Sequence, residues 1–229
     1  MDFSSIRLIT FDCYGTLIDW EAGMLTAFRQ VLPNPDSFSE NQLLETYAAI
    51  ESRLESGPYL MYREVLTRAA RELGRQLGVA LSDDACRRFA ESVKDWQPFP
   101  DTVEALHVLA TRFRLGIISN VDDDLFAATR DKLQAPFDFV VTAQQVKSYK
   151  PALRNFHEAI TRSGSRKEEM LHAAQSIHHD IVPAKELGLA NAWVNRRFGK
   201  NGFGATIPAQ AQPMLEVRSL AELAERLVS

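Results

Sequence analysis

The sequence of 229 residues lacks several features that would assign it to a particular class of protein. No apolar run approaches the roughly 20 residues that a membrane-spanning helix needs. The N-terminus has no charged segment followed by an apolar one, so we expect no signal peptide. Basic residues are not in excess, because 26 Lys and Arg stand against 30 Asp and Glu and the net charge is −4. The sequence therefore predicts neither a membrane protein nor a protein that binds nucleic acid.

The sequence is also poor in cysteine. Cys13 and Cys86 are far apart in sequence and lack the spacing of metal ligands. Free thiols are typical of a reducing compartment, so we expect a cytoplasmic protein. Hydrophobic residues make up 45% of the chain and charged residues 24%, which are the proportions of an ordinary globular protein. A chain of this length can bury a core of its own.

The pattern of apolar residues changes twice along the chain. Residues 7–11 form a short apolar run that predicts a strand ending at Asp12. About eighty residues of helical periodicity follow, in which Ser39 and Ser82 have the character of helix N-caps. After residue 97, strands and helices alternate, which predicts a parallel sheet covered on both faces. The later strands are predicted at residues 115–119, 137–142, 170–176, 192–195 and 215–217.

This order predicts an α/β fold, a Rossmann-like doubly wound parallel sheet with an inserted helical cap domain. We expect residues 1–17 and 97–229 to form the α/β core domain and residues 18–96 to form the cap domain. Ligands bind beyond the carboxyl ends of the strands in open α/β sheets. Asp12, Ser119 and Ser176 lie at such strand ends, so we expect them near the site.

A short motif follows the first predicted strand. Asp12 leaves the strand, Gly15 permits a tight turn, and Thr16 can donate a hydrogen bond to the carboxylate. Three further motifs follow the next predicted strands: Ser119-Asn120, Lys150-Pro151 and Asp180. In order and spacing the four motifs resemble those of the haloacid dehalogenase superfamily, and the resemblance covers essentially the whole chain. It implies the fold described above and the activity of a hydrolase.

The resemblance also implies a role for each motif. Asp12 is expected to attack the substrate and form a covalent ester, which divides one hard displacement into two easier steps. Lys150 is expected to keep Asp12 ionised. Ser119 and Asn120 are expected to donate hydrogen bonds to the carboxylate and to the leaving atom. Asp180 is expected to orient or deprotonate the water that hydrolyses the ester.

Two positions indicate that the attack is on carbon. Phosphatases of the superfamily usually have a second aspartate two residues after the nucleophile, because an alkoxide leaving group must be protonated. Tyr14 occupies that position, and a phenol with a pKa of about 10 is a poor acid. Members resembling L-2-haloacid dehalogenases have tyrosine there, and halide leaves without a proton. Ser176 replaces an acid that is usual in magnesium-dependent members, so the resemblance implies no metal and no other cofactor.

The implied reactants are a small 2-substituted carboxylic acid and water. Four residues are candidate substrate contacts: Tyr14, Trp20, Phe156 and Ser176. The chain departs from the haloacid dehalogenase pattern at three positions: Ala48 near the place of a halide-binding arginine, Phe156 instead of tyrosine and Ile177 instead of asparagine. Arg53 is the arginine nearest to the first of these positions. These departures leave the leaving group open.

Several alternatives therefore stay open. Residues 10–21, 99–106 and 199–206 resemble the L-azetidine-2-carboxylate hydrolases of the same superfamily, in which a strained, protonated ring nitrogen leaves carbon. Trp20 could then pack on a small ring or a cation, although plain packing between cap and core also explains it. A small-molecule phosphatase and an inactive scaffold are the remaining alternatives. Dimers occur among similar dehalogenases, so a homodimer is an alternative to a monomer.

Overall fold

The computed structural model describes residues 3–228, and its centre is a parallel β-sheet. The strands are β1 (Leu8–Phe11), β2 (Arg114–Ser119), β3 (Phe137–Thr142), β4 (Met170–Ala174), β5 (Ala190–Val194) and β6 (Leu215–Val217). Within the described residues they form one six-stranded sheet in the order β3-β2-β1-β4-β5-β6, and each pair of neighbours is parallel. All four residues of β1 are buried, as expected for a central strand covered on both faces.

Helices account for most of the remaining chain. They are α1 (Trp20–Val31), α2 (Glu40–Glu55), α3 (Tyr62–Gln76), α4 (Asp83–Glu91), α5 (Thr102–Ala110), α6 (Asp123–Leu133), α7 (Ala143–Val146), α8 (Leu153–Ser163), α9 (Val182–Glu186) and α10 (Leu220–Val228). Within residues 3–228, none of the helices combines the length and the apolarity needed to cross a bilayer.

The connection between β1 and β2 contains α1 to α5, and later strands alternate with helices. The chain thus winds outward from β1 in both directions, which is the doubly wound arrangement. The α/β fold class predicted from the sequence is confirmed. The division into a core of residues 1–17 and 97–229 and a cap of residues 18–96 stays a prediction.

Helix α2 forms where its sequence pattern predicts a helix. The Ser39 hydroxyl accepts a hydrogen bond from the backbone N–H of Gln42 at 3.2 Å, which satisfies a free donor of the first turn. Leu43, Tyr47 and Ile50 recur at helical spacing and are buried. This apolar stripe holds the helix against its neighbours and fixes which side chains reach the sheet edge.

Candidate active site

The loop after β1 presents Asp12 at the carboxyl edge of the sheet. Its turn depends on Gly15, which has φ +94°, a conformation that favours glycine. A Cβ atom at this position would lie 2.8 Å from Trp20 Nε1. The backbone N–H of Leu17 donates to the Cys13 carbonyl at 2.8 Å and closes the turn. The loop is therefore fixed by backbone geometry and by the indole beside it.

Both carboxylate oxygens of Asp12 accept hydrogen bonds. Lys150 Nζ donates to Oδ1 at 2.8 Å, and the Thr16 hydroxyl donates to Oδ2 at 2.7 Å. The Thr16 oxygen accepts in turn from the backbone N–H of Gln175 at 2.9 Å. Burial raises the pKa of Asp12 above its ordinary value, and the charge of Lys150 offsets this only in part. The carboxylate is thus oriented by groups from three separate segments of the chain.

Lys150 is 2% exposed and lies between two carboxylates. Its ammonium also donates to Asp180 Oδ1 at 2.7 Å and to the Ile118 carbonyl at 2.9 Å, so all three N–H donors are used. Burial lowers the pKa of Lys150, but attraction by Asp12 and Asp180 exceeds that effect and the pKa lies above its ordinary value. The ammonium is therefore held in its charged form.

Asp180 belongs to a π-helical turn, Ile177–Ile181, after β4. Its Oδ1 also lies 2.9 Å from His172 Nε2, and His172 Nδ1 lies 2.9 Å from the hydroxyl of Thr10. Burial raises the pKa of Asp180, but Lys150 and His172 lower it by a larger amount. The resulting pKa is about 2. Asp180 Oδ2 is buried and has no hydrogen-bond partner. One carboxylate oxygen is thus fully engaged and the other is free.

Ser119 and Asn120 have different surroundings at the end of β2. The Ser119 hydroxyl is buried and has no hydrogen-bond partner. Asn120 Oδ1 accepts from the backbone N–H of Lys150 at 2.7 Å, and its Nδ2 donates to the Lys150 carbonyl at 3.1 Å and to Glu55 Oε2 at 3.2 Å. Asn120 therefore holds the backbone of Lys150, and neither Asn120 nor Ser119 donates to the Asp12 carboxylate as expected from the sequence. Their expected bonds to the leaving atom stay a prediction.

Two aromatic residues predicted as substrate contacts line the cavity above Asp12. The hydroxyls of Tyr14 and Thr129 lie 2.9 Å apart. Burial raises the pKa of Tyr14 well above its ordinary value, so the phenol is a poor proton donor to a leaving group. Trp20 is 8% exposed and borders both the cavity and Gly15.

The other two predicted contacts differ. Ser176 lines the cavity, and its hydroxyl accepts a hydrogen bond from the backbone N–H of His179 at 3.0 Å. Phe156 is fully buried in the core, with its ring 5.1 Å from that of His172. Phe156 is not among the residues that line the cavity. The structure therefore corrects its assignment: Phe156 packs behind His172 because α8 turns its apolar face toward the sheet.

The helical side of the cavity has two carboxyl groups that were not anticipated. Glu51 and Glu55 of α2 both line it. Arg53, the arginine considered for halide binding, points elsewhere and pairs with Glu72 at the surface. Ala48 is buried in the same helix. The spacing of Glu51 and Glu55, four and eight residues after buried Tyr47, is the sequence signal that could have revealed them.

The acidic groups beside Asp12 do not match a magnesium site. The space between Asp12 and Asp180 is bridged by the ammonium of Lys150. Ser176 supplies a hydroxyl where magnesium-dependent members have an acid. In the part of the chain that the structure describes, no group of three or more His, Cys, Asp or Glu side chains is arranged to hold a metal ion. The residues present therefore do not fit a resident divalent cation, and metal independence stays a prediction.

The chain is similar to known hydrolases over most of its length. The family model for haloacid dehalogenase-like hydrolases matches residues 6–188. An (S)-2-haloacid dehalogenase from Pseudomonas putida is 29% identical over 231 residues, which cover 98% of each chain. A glyceraldehyde 3-phosphate phosphatase from Methanothermobacter thermautotrophicus is 30% identical over 132 residues, which cover 53% of this chain and 58% of that protein.

The fold is similar to that of solved dehalogenases. The structure of an L-2-haloacid dehalogenase from Xanthobacter autotrophicus with chloropropionic acid covalently bound matches with a TM-score of 0.79 at 18% identity, and the match covers 96% of this chain and 97% of that one. The family predicted from the four motifs is confirmed. The chain belongs to the haloacid dehalogenase-like hydrolases.

Proposed function

We propose that this hydrolase displaces a leaving group from carbon of a small 2-substituted carboxylic acid, with Asp12 as the nucleophile. The observation that carries the proposal is the Asp12 carboxylate, which Lys150 and Thr16 hold at the wall of a cavity. The only reactants are the small molecule and water. A homodimer stays an alternative to a monomer.

In the first step, an Asp12 oxygen attacks the substituted carbon, and the bond to the leaving group breaks. The leaving group departs with the bonding electrons, and an ester joins Asp12 to the substrate. Lys150 favours this step because its charge stabilises the ionised carboxylate against the effect of burial. Thr16 orients the carboxylate through its hydrogen bond to Oδ2.

In the second step, water hydrolyses the ester. Asp180 Oδ2 is buried without a partner, which suits it to accept a proton from that water. The water oxygen adds to the carboxyl carbon of Asp12, and the bond to the oxygen that first attacked breaks. The product is a 2-hydroxy acid, and one water oxygen remains in the Asp12 carboxylate. With a halide, the overall reaction consumes one water and releases the halide ion and one proton. In the opening of a protonated ring, the amine stays in the product and takes up that proton.

Phosphate ester hydrolysis is supported less well by this geometry. It requires an acid to protonate the departing alkoxide, and the phenol of Tyr14 at the predicted position is bonded to Thr129 and has a raised pKa. Displacement of a halide or of a protonated amine needs no such acid. Carbon–halogen cleavage and the opening of a strained carbon–nitrogen ring therefore remain compatible with the same nucleophile.

The proposal is tested by the fate of solvent oxygen. In a single turnover in H₂¹⁸O, we expect the peptide that contains Asp12 to gain ¹⁸O, as measured by mass spectrometry. The substrates are 2-chloropropionate, L-azetidine-2-carboxylate and a phosphate monoester, each with magnesium and with EDTA. Asp12→Asn is the control variant and should lack both turnover and label. Magnesium-dependent turnover of the phosphate ester alone would contradict the proposal, and absence of label with every substrate would support an inactive scaffold.

A further inference from the structure

Two carboxyl groups of α2 face the cavity of the nucleophile. Glu51 is 4% exposed, and its Oε1 accepts hydrogen bonds from the hydroxyls of Tyr47 at 2.7 Å and Tyr62 at 2.8 Å. The Glu55 side chain is 6% exposed and accepts from Asn120 Nδ2 at 3.2 Å. These bonds fix the positions of both carboxyl groups, but every donor among them is neutral.

The cavity has little positive charge to balance these groups. Among the described residues that line it, Lys150 is the one cationic side chain, and its three donors are used by Asp12, Asp180 and a carbonyl. His179 Nε2 lies 4.0 Å from Glu55, but burial lowers the pKa of His179 to about 3 and leaves it neutral. Within the described residues, Glu51 and Glu55 therefore have no cationic side chain in a salt bridge near neutral pH, and Lys150 acts on Glu55 only as a more distant charge.

The pKa values of the two glutamates agree with this shortage of positive charge. Burial raises the pKa of Glu51 to about 7, against the hydrogen bonds from the two tyrosines. Burial, and then the charge of Glu51, raises the pKa of Glu55 well above its ordinary value, against the charge of Lys150 and the hydrogen bond from Asn120. A bound cation would favour the ionised form of both carboxyl groups.

A second observation indicates that the cavity receives a ligand. The Ser119 hydroxyl is fully buried, lines the same cavity and has no hydrogen-bond partner. Asp180 Oδ2 is in the same condition. Buried polar atoms in folded proteins are nearly always bonded, so a free donor and a free acceptor on one cavity point to groups that a ligand satisfies.

We propose that Glu51 and Glu55 form a cation subsite that binds a protonated nitrogen of the substrate beside the carbon that Asp12 attacks. The substrate class is then a small carboxylic acid that carries an ammonium group, and the reaction at its carbon rests on the proposed function. An anionic leaving group without a neighbouring cation would face two acidic groups, which disfavours it. The subsite thus selects substrates by charge.

Binding of two unreactive ligands tests the subsite. L-alanine has an ammonium group at carbon 2, and L-lactate has a hydroxyl group at the same carbon. Neither compound has a good leaving group. By isothermal titration calorimetry of the wild-type protein, we expect alanine to bind at least about 30-fold more tightly than lactate, as charge-assisted bonds in a buried site allow. Glu51→Gln and Glu55→Gln should each reduce this ratio about tenfold or more. Glu64→Gln, which neutralises an exposed acid of α3, is the matched control and should leave the ratio unchanged.

The inference is overturned if wild-type protein does not prefer alanine, or if the preference survives both glutamate substitutions. Thermal unfolding of each variant shows whether it is folded, and the wild-type ratio is decisive even if one variant is not. The ¹⁸O experiment with 2-chloropropionate and 3-amino-2-chloropropionate distinguishes a failure of the cation subsite from a failure of the proposed function. Preference for alanine without label at Asp12 contradicts only the reaction, and label at Asp12 without preference for alanine contradicts only the subsite.

Discussion

At the scale of single residues, the site depends on the one ammonium group that joins Asp12 and Asp180. We expect Lys150→Met to lower the free energy of unfolding by about 3–5 kcal/mol, because two buried carboxylates lose their shared cation. Urea unfolding measures this loss. Lys185→Met, at an exposed position, should change stability by less than about 0.5 kcal/mol.

A double-mutant cycle then isolates the pair. Asp12→Asn in the Lys150→Met background removes one of the two uncompensated charges, so we expect part of the lost stability to return. Strictly additive losses would show that the ammonium contributes little to holding this carboxylate.

His172 is expected to act through Asp180, because its Nε2 bonds Oδ1 and leaves Oδ2 for water. We expect His172→Gln to slow hydrolysis of the ester by about 10- to 100-fold while formation of the ester changes little. Rapid-quench mass spectrometry should then show the Asp12 ester accumulating. His107→Gln, at an exposed histidine, is the control. If formation and hydrolysis slow equally, the role of His172 is only structural.

The sequence predicts some of these residues and not others. Asp12, Lys150 and Asp180 could be predicted because they match the motifs of the superfamily in order and spacing. Asp12 also directly follows a strand, and parallel strands present their carboxyl ends at one edge. His172 lies inside a buried strand, where histidine alone does not indicate a role. Its contact with Asp180 depends on the π-helical turn, which the sequence pattern does not predict. Phe156 was misassigned because its position in the motif pattern does not reveal which way α8 turns that side chain.

At the scale of elements, Glu51 of α2 is expected to make the stability of the protein depend on pH. Glu51 has an ordinary pKa of 4.5 and a pKa of about 7 in the folded protein, so the folded state holds more protons between these values. Stability therefore falls as pH rises through this interval. We expect Glu51→Gln to reduce the change in the free energy of unfolding between pH 5 and pH 8 by about 2 kcal/mol.

Urea unfolding at the two pH values measures this change, with Glu64→Gln as the control for the loss of one acidic group. An unchanged dependence on pH in Glu51→Gln would show that this carboxyl titrates normally.

The elements themselves were largely predictable. The strand at residues 137–142 and the strand at residues 215–217 have the predicted bounds. The strand predicted at residues 170–176 ends earlier, at Ala174, because Ser176 caps the π-helical turn. Periodicity identifies the face that an element buries, but the pairing of one buried face with another depends on packing across the whole chain.

At the scale of the whole molecule, residues 197–206, which follow β5, contact two of the helices between β1 and β2. We call this segment the strap. Glu21 of α1 pairs with Arg197 and accepts from the backbone N–H of Ala205 at 3.1 Å, and Glu45 of α2 accepts from that of Phe203 at 3.0 Å. Thr206 at the end of the strap lines the cavity.

We expect Glu21→Ala to release the strap, because Arg197 and the backbone N–H of Ala205 lose their shared acceptor. Limited trypsin digestion should then cleave after Lys200 several times faster than in the wild-type protein. Glu40→Ala, which removes an exposed pair with Arg29, is the control. Equal cleavage rates in the two variants would mean that the strap is held by other contacts.

The indole of Trp20 gives the protein an optical reporter. Of its three tryptophans, Trp96 is buried beside Tyr14 and Trp193 donates to the Gln175 carbonyl at 2.8 Å. Trp20 is the one that lines the cavity of Asp12. A ligand that enters the cavity changes the polarity around this indole, so the emission of the unlabelled protein follows occupancy in real time. Stopped-flow fluorescence can therefore separate arrival of the substrate from the chemistry that follows.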